Sequence, residues 1–366
     1  MQFSQKSKEH IDSCRFCWMC HHVCPIGNAT GLERNTARAR ALGLSLVARD
    51  AIEYSEDIIN NVYECSLCGG CMKDCVTGWD PVMFTKEARL GAALDGKMPA
   101  YVEKLIDNIE NSGNIYGLKE IDGVLKDAIK DLPETAEVVL FIGKDGAYKT
   151  PEKAATAVEL LKKANVNFTV NKYEPNSGYD LDFLIGAADE AKKTMTETAD
   201  VLNKMGAKTI VCYDPADAKV FLREYKEYGI NLDAQVVTFT SFVAGLIKDG
   251  KLSVKKSDKV LTFQDPALLA RDLEETEPAR EILSACGEVK EMLLSRKDTM
   301  LAGNLVMNEY MPKVMQEVAL SRWINAKNVD AKILVTASPA EYVLLNETND
   351  GSIELITIEE AVLKCL

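Results

Sequence analysis

Cysteine is the residue type of this chain that is best placed to do chemistry. The 366-residue sequence holds 11 cysteines, and two groups of four share the spacing C-x2-C-x2-C-x3-C. The first group is Cys14, Cys17, Cys20 and Cys24, with Pro25 after it, and the second is Cys65, Cys68, Cys71 and Cys75. Thiolates with this spacing hold iron–sulfur cubanes: three surround one cluster while the fourth reaches elsewhere. The spacing therefore predicts two [4Fe–4S] clusters.

The fourth cysteine of each group is expected to bind the cluster of the other group, as in two-cluster ferredoxins. Cluster 1 would then be held by Cys14, Cys17, Cys20 and Cys75, and cluster 2 by Cys65, Cys68, Cys71 and Cys24. Zinc is the alternative, because cysteine tetrads also form tetrahedral zinc sites. Zinc sites usually use two separate C-x2-C pairs, so three cysteines at successive x2 intervals favour iron and sulfide.

Four residues beside the cysteines are candidates for cofactor binding. Gly69 and Gly70 allow the backbone to approach inorganic sulfide closely and to donate N–H groups to it. Pro25 follows the first tetrad, as in the bacterial ferredoxin motif. His22, with His21 beside it, lies between ligands, and histidine is not needed as a ligand where all four cysteines are present. At least one of the two histidines is therefore expected either to donate a hydrogen bond near the cluster or to lie at the surface.

The segment between the tetrads must position them, and it is long enough to fold. About forty residues separate the tetrads, and Thr36–Ala48 and Ala51–Tyr63 have helical character. This predicts an α-helical ferredoxin domain with both tetrads at helix ends. The arginines of the segment either face the anionic clusters or an acidic partner, or lie on a solvated helix face. They are Arg34, Arg38, Arg40 and Arg49.

The second half of the chain has the pattern of a parallel sheet. Short apolar runs alternate with longer amphipathic stretches; the runs are 138–142, 209–213, 235–239, 259–263 and 332–336. Three segments recur in the same order about 120 residues later: 138–161 in 259–283, 209–222 in 332–345, and 236–247 in 354–366. Two similar α/β lobes are the simplest explanation.

The predicted organisation has four parts. Residues 1–100 form the α-helical two-cluster ferredoxin domain, 101–134 a helical connector, 135–255 lobe 1 and 256–366 lobe 2. A net charge of −13 argues against nucleic acid as a partner. The sequence has no secretion signal and no apolar run of membrane-spanning length, so we expect a cytoplasmic protein without a direct membrane span.

This layout resembles the iron–sulfur subunits of glycolate-oxidase-type and anaerobic glycerol-3-phosphate dehydrogenase systems, and the heterodisulfide-reductase D-like proteins. The resemblance rests on the double tetrad, on Arg38–Leu42 between the tetrads, on Gly113–Gly117 in the connector, and on the repeated lobes. It implies a ferredoxin domain followed by a duplicated α/β Cys-Cys-Gly-like domain. In that family each lobe usually carries a Cys-Cys-Gly motif and a Cys-Pro-x-Cys motif, which can bind a further metal or cluster.

The chain departs from that family pattern at every one of these thiols. The corresponding positions read Asn176-Ser177-Gly178, Leu301-Ala302-Gly303, Asp214-Pro215-Ala216-Asp217, Ser338-Pro339-Ala340-Glu341 and Asp265-Pro266-Ala267. Beyond Cys75 only Cys212, Cys286 and Cys365 remain, and we expect them to be small buried residues. Carboxylates in loops are usually solvated, so no third metal site is expected.

The resemblance implies an electron-transfer subunit with two [4Fe–4S] clusters, no catalytic residue and no substrate site of its own. FAD would be bound only by a partner, a flavoprotein dehydrogenase of glycolate- or lactate-oxidase type. One alternative is a heterodisulfide-reductase-like catalytic subunit, which the missing thiols disfavour because disulfide reduction needs thiolate or iron at the reacting sulfur. Another is a link to an electron-transferring flavoprotein or ferredoxin in a bifurcating complex, which the residues do not distinguish from the first possibility.

Overall fold

The computed structural model describes residues 1–366, and its first part is helical and holds both tetrads. The helices are α1 (Gln5–Ser13), α2 (Met19–His22), α3 (Pro25–Thr30), α4 (Ala37–Ala48), α5 (Glu56–Tyr63), α6 (Gly70–Asp74), α7 (Pro81–Leu94), α8 (Ala100–Ser112) and α9 (Gly123–Ile129). The Thr36 hydroxyl caps α4 by accepting the N–H of Ala39. Helix α5 begins later than the sequence pattern predicts, because Asp50 turns the chain with a φ of 55°.

Two parallel four-stranded sheets follow. The first contains β1 (Val138–Phe141), β2 (Phe168–Thr169), β3 (Thr209–Cys212) and β4 (Gln235–Thr238) in the order β2-β1-β3-β4. The second contains β5 (Val260–Gln264), β6 (Glu288–Val289), β7 (Ile333–Thr336) and β8 (Glu354–Thr357) in the order β6-β5-β7-β8. The five apolar runs correspond to β1, β3, β4, β5 and β7. The two sheets therefore have the same strand order.

Helices connect and cover these strands. Those around the first sheet are α10 (Lys144–Lys149), α11 (Pro151–Lys163), α12 (Tyr179–Ile185), α13 (Asp189–Lys204), α14 (Pro215–Lys219), α15 (Tyr225–Glu227) and α16 (Phe239–Lys248). Those around the second are α17 (Glu277–Cys286), α18 (Leu305–Asn308), α19 (Pro312–Lys327), α20 (Pro339–Glu347) and α21 (Ile358–Leu363). Short 3₁₀ turns occupy Glu33–Asn35 and Arg296–Asp298, and π-helical turns occupy Val220–Glu224 and Leu268–Asp272.

The hydrophobic core is shared among the three regions. One apolar cluster joins Ile59 and Phe84 of the tetrad region to Leu184 beside the first sheet and Trp323 beside the second. A second cluster joins the two sheets through their covering helices, including Val158 on α11 and Val362 on α21. The tetrad region is thereby held against both sheets. The domain boundaries predicted above stay a prediction.

None of the helices combines the length and the apolar character that a bilayer crossing needs.

Candidate metal centre

The first tetrad lies where three helices meet. Cys14 caps the C-terminal end of α1, Cys20 lies in α2, and Cys24 caps the N-terminal end of α3. The Cys24 sulfur accepts a hydrogen bond from the Gly27 N–H at 3.4 Å. Cys20 and Cys24 are buried, whereas Cys17 is exposed. The tetrad therefore runs from the interior of the molecule to its surface.

The second tetrad repeats a backbone feature of the first. The residue just before the second cysteine of each group is left-handed, with a φ of 51° at Phe16 and 52° at Leu67. Such angles are uncommon for residues other than glycine, so their recurrence at the same place indicates the same turn in both groups. Beyond this turn, Gly69 adopts a φ of 71° and α6, which carries Cys71, begins.

Each fourth cysteine lies beside the other tetrad. Burial raises the pKa of Cys14, and among the neighbouring thiols Cys75 raises it more than Cys17 does. Burial likewise raises the pKa of Cys24, and the thiols that add to this effect are Cys68 and Cys65. Because interactions of this kind weaken with distance, the two tetrads are interlocked in space. The crossed ligand sets stay a prediction. They require each fourth cysteine to lie near the other tetrad, as it does in the structure.

A cavity lies among four of the thiols: Cys24, Cys65, Cys68 and Cys71. The cavity is small, with a volume of about 20 Å³, and Pro25, Gly69 and Arg40 also line it. Gly70 lies beside it, where an added Cβ would be 3.2 Å from the Val23 carbonyl and 3.9 Å from the Cys68 sulfur. Four soft donors around one cavity, with glycine where the backbone comes close, fit an iron–sulfur cluster.

Burial makes two of the thiols harder to deprotonate. It raises the pKa of Cys20 to about 11 and that of Cys71 well above its usual value, with the neighbouring thiols adding to both shifts. Metal ligation needs the thiolate, so binding must release protons here.

One of the four arginines between the tetrads faces the thiols. Arg40 is only 3% exposed and donates hydrogen bonds to the carbonyls of Asn61 at 2.9 Å and Glu64 at 3.0 Å. Burial acts to lower the pKa of Arg40, but Cys65 and other nearby thiols outweigh it and raise the pKa overall. Arg40 therefore places a positive charge beside an anionic site.

The other three arginines have acidic partners. Arg34 pairs with Glu64, Arg38 with Glu33, and Arg49 with Asp12. Arg38 also lies over the Trp18 ring, 4.2 Å from its centre, and Trp18 is 56% exposed. This ring therefore forms part of the surface near the exposed Cys17.

The structure places His22 at the surface, and its ring makes no hydrogen bond. Its backbone carbonyl accepts a hydrogen bond from the Asn28 amide at 2.9 Å. His21 is half-buried, and its Nε2 lies 3.7 Å from Glu33. The role of His22 in cofactor binding stays a prediction, and the surface position is one of the two outcomes that the sequence left open.

Two arginines far along the chain were missed by sequence reasoning. Arg271, in the second π-helical turn, donates a hydrogen bond from Nε to the Cys68 carbonyl at 2.7 Å. Arg89, fully buried on α7, donates to the carbonyls of Cys65 and Val62. No local motif marks either residue, because their partners are backbone groups that only the tertiary fold brings close.

A tetrahedral zinc site would need its sulfur ligands about 2.3 Å from one ion. In the structure, no group of three or more His, Cys, Asp or Glu side chains is arranged so that it could hold a single metal ion.

Four of the five altered family motifs meet in a second cavity, between the two sheets, whereas Asn176–Gly178 does not line it. Residues that follow β1, β3, β5 and β7 line it together with Ser66 and Cys68 of the second tetrad. These are the carboxyl ends of central strands, where ligands of open α/β sheets usually bind. The cavity is small, with a volume of about 30 Å³, and Leu301, Leu305 and Val306 form an apolar part of its wall.

The carboxylates at these positions are buried, which corrects the expectation that they are solvated. Asp214, Asp217 and Glu341 are 3%, 6% and 2% exposed. Asp214 accepts the N–H of Ala216 at 2.9 Å as the cap of α14, and Glu341 accepts the N–H of Ala302 at 3.3 Å. Backbone donors inside the fold thus replace water for Asp214 and Glu341, whereas the Oδ2 atom of Asp217 is buried without a hydrogen-bond partner. Burial raises the pKa of Glu341 to about 8.

The remaining thiols lie outside the tetrads. Cys212 and Cys286 are each 1% exposed, as expected for small core residues, while Cys365 is half-buried.

The interlocked thiols, the helical frame around them and the two parallel sheets define an iron–sulfur protein with a 4Fe–4S domain. Residues 10–79 match the family model described as a 4Fe-4S dicluster domain. The chain is similar in sequence to a probable iron–sulfur-binding oxidoreductase and to a subunit of a heterodisulfide reductase.

Three relatives are particularly informative. The chain is 29% identical to the probable iron-sulfur-binding oxidoreductase FadF of Bacillus subtilis over 293 residues, which cover 73% of this chain and 41% of that protein. It is 26% identical to the D-type subunit of the dihydromethanophenazine:CoB–CoM heterodisulfide reductase of Methanosarcina acetivorans over 363 residues, covering 90% and 87%. It is 21% identical to an uncharacterized iron-sulfur protein of Methanococcus maripaludis over 344 residues, covering 91% and 67%.

The resemblance to heterodisulfide-reductase D-like iron–sulfur proteins is thereby confirmed. The chain spans about two fifths of the length of the Bacillus relative. Among solved structures, Picrophilus torridus aspartate racemase aligns with 62% of this chain and 91% of its own at 10% identity, with a TM-score of 0.28, which is too low to indicate a shared fold.

Proposed function

We propose that this chain relays single electrons through two [4Fe–4S] clusters in a multi-subunit oxidoreductase. The observation that carries the proposal is the cavity in which Cys24 of the first tetrad joins three cysteines of the second. When bound, such clusters supply one-electron chemistry. The residues of the chain hold the clusters, limit the access of water through burial, and set the local charge through Arg40.

The two tetrads have different surroundings. Cys17 and Trp18 are exposed, so a partner can approach the first tetrad from solvent. The second tetrad contacts the region of the second sheet, because Arg271 binds the Cys68 carbonyl and Lys73 on α6 pairs with Asp298 beside that sheet. We propose that the sheets are a holder for this tetrad and a support for partner docking.

The partner that we propose is a flavoprotein dehydrogenase of glycolate- or lactate-oxidase type, with FAD bound only there, in the cytoplasm. Such a flavin takes two electrons from its substrate and must release them one at a time, a task suited to iron–sulfur clusters. The named relatives are an oxidoreductase and a reductase subunit, which supports work in a complex. An electron-transferring flavoprotein or ferredoxin as partner is the variant of this proposal.

The second candidate function is heterodisulfide-reductase-like catalysis in the cavity between the sheets. The observation that favours it is the meeting of the carboxyl ends of both sheets beside Cys68. Apart from Cys68, a predicted cluster ligand, the residues at that place carry carboxylate, hydroxyl, amide or apolar groups, which cannot attack a disulfide as a thiolate would. Reduction of a thiol heterodisulfide by the chain with a reduced dye would support this second candidate over the relay.

The crossed ligand sets provide a sharp test of the proposed relay. We expect Cys24→Ser and Cys68→Ser to alter the same cluster, because both thiols line one cavity. Cys75→Ser should change the EPR spectrum in the same way as Cys17→Ser. Low-temperature EPR spectra of the four reduced variants, prepared without oxygen, measure this. If Cys24→Ser instead matched Cys17→Ser, each tetrad would hold its own cluster and the crossed arrangement would be wrong.

The partner is tested by isolating the chain from its native cells under gentle conditions. Copurification with a flavin-containing dehydrogenase, and reduction of the chain when that enzyme receives its substrate, are the expected results. A stable preparation without any flavoprotein, active alone on a heterodisulfide, would contradict the proposal.

A further inference from the structure

A cleft at the edge of the first sheet takes no part in the proposed function. Its volume is about 700 Å³, which lies in the range of small-molecule sites. Ile142 and Lys144 in its wall directly follow β1, and residues 170–176 directly follow β2. Side chains of α9 also line it. Ligands of open parallel sheets bind at the carboxyl ends of strands, so the cleft is in a favourable place.

The cleft is basic although the whole chain carries a net charge of −13. Five lysines line it: Lys119, Lys126, Lys130, Lys144 and Lys172. Lys126 and Lys130 have acidic partners, whereas Lys119 and Lys172 are exposed and form neither an ion pair nor a side-chain hydrogen bond. We therefore call it the lysine cleft, and it offers two uncompensated cations to a ligand.

Two carboxylates line the lysine cleft: Glu120, which pairs with Lys126, and Glu174, which has backbone donors as partners. The Glu174 carboxylate accepts the N–H groups of Ile142 and Gly143, both at 2.7 Å, and the Lys144 ammonium donates to the Glu174 carbonyl. Burial raises the pKa of Glu174 to about 7, against the opposing effect of Lys144. Near neutral pH Glu174 is therefore only partly ionised, so it neutralises less than one of the positive charges of the lysines.

The lysine cleft also offers apolar and aromatic surface. Leu125, Ile129 and Ile142 are buried along it, and Tyr148 is half-buried in its wall. Tyr173 belongs to the loop after β2 and is 93% exposed. An exposed aromatic ring can stack on a planar nucleobase, because the negative face of one ring attracts the positive edge of another.

From this combination we propose that the lysine cleft binds a nucleotide. The base lies against Tyr173 and the aliphatic wall, and the phosphates lie between Lys119 and Lys172. Separated lysines suit a polyphosphate better than a single carboxylate, because each ammonium is a point charge that satisfies one anionic group. The proposed site is independent of the clusters and therefore of the proposed relay.

Calorimetric titration of the full chain with ADP at low ionic strength tests the proposal. ADP should bind saturably, pyrophosphate more weakly, and adenosine much more weakly than ADP. The double variant Lys119→Glu/Lys172→Glu should bind ADP at least tenfold more weakly. The matched control is Lys226→Glu/Lys313→Glu, which changes net charge equally at two exposed lysines outside the cleft and should bind ADP like the original chain.

The role of the aromatic ring has its own variant. Tyr173→Ala should weaken the binding of ADP several-fold and leave that of pyrophosphate unchanged, and its exposure means that the fold is not disturbed. Three results would each overturn the proposal: no saturable binding of ADP, an equal loss in the cleft and control double variants, or equal affinities for adenosine and ADP.

Discussion

Arg40 shows how single residues beside the thiols shape the centre. Its guanidinium is buried with two backbone carbonyls as partners, so its charge is poorly screened by solvent. In the sequence, Arg40 is one of four arginines between the tetrads, and nothing distinguishes it from the other three. Only its burial in the structure does so. At the scale of residues, the cysteine ligands could be predicted from spacing, whereas Arg40, Arg89 and Arg271 depend on which backbone groups the fold brings near them.

Replacement of Arg40 by glutamine should lower the reduction potential of the cluster that the second tetrad holds. A nearby positive charge stabilises the more negative reduced state, by on the order of 1 kcal/mol for an effective dielectric constant near 20. A redox titration followed by EPR measures the potential. Arg49→Gln is the matched control, since Arg49 is exposed and pairs with Asp12, and an equal shift in both variants would contradict the role of Arg40.

At the scale of elements, the contact between α7 and α12 joins the tetrad region to the first sheet. Gly186 ends α12 with a φ of 59°, and a Cβ there would be 2.8 Å from the Lys86 carbonyl on α7. Lys86 also pairs with the buried Asp182 at 2.6 Å. The sequence predicts a helical tetrad region that includes α7, but it predicts neither α12 nor this contact, because a glycine after an apolar run is equally typical of an ordinary helix end.

Gly186→Ala should therefore destabilise the protein more than an ordinary left-handed glycine does. The cost includes about 1–3 kcal/mol for a backbone conformation, with φ 59° and ψ −141°, that residues other than glycine rarely adopt, and roughly 1–3 kcal/mol for the steric clash. Gly206→Ala is the control, because Gly206 has a φ of 66° and nothing within 4 Å of an added Cβ. Denaturant unfolding measures the free energy of unfolding of both variants. Equal destabilisation would show that α7 can move away from the added methyl group without a loss of stability.

The strands illustrate what the pattern of apolar residues can and cannot reveal. The five runs predicted from the sequence are strands because four or five consecutive apolar or β-branched residues are buried in a parallel sheet. The edge strands β2 and β6 have only two residues each, which is too short for any periodic signal. The equal strand orders support the proposal that one lobe is a copy of the other.

At the scale of the whole molecule, the sheets and the tetrad region enclose an unusual number of buried carboxylates. Burial raises the pKa of Glu359 to about 7 and that of Glu341 to about 8. Glu359 accepts a hydrogen bond from the Tyr213 hydroxyl of the other sheet at 2.8 Å. The sequence reveals acidic residues at altered family positions, but only the packing of the three regions shows that they lose contact with water.

These carboxylates predict a loss of stability as the pH rises. A carboxyl group whose pKa is raised in the folded state stabilises that state fully below its unfolded pKa, and the effect is lost as the pH rises through the folded pKa. The thermal midpoint should therefore decrease as the pH rises from about 4.5, the ordinary pKa of a glutamate, to about 8, the folded pKa of Glu341. Glu341→Gln should reduce this fall, since glutamine resembles the neutral acid, and an unchanged fall would contradict a protonated Glu341.

The iron content of the chain decides whether the two tetrads hold clusters. Full-length protein prepared without oxygen should contain about eight iron atoms and about as much acid-labile sulfide per chain, as two [4Fe–4S] clusters require. Cys24→Ser and Cys75→Ser should each lose part of that iron. A colourless preparation that holds stoichiometric zinc, or no metal at all, would contradict the assignment of both clusters.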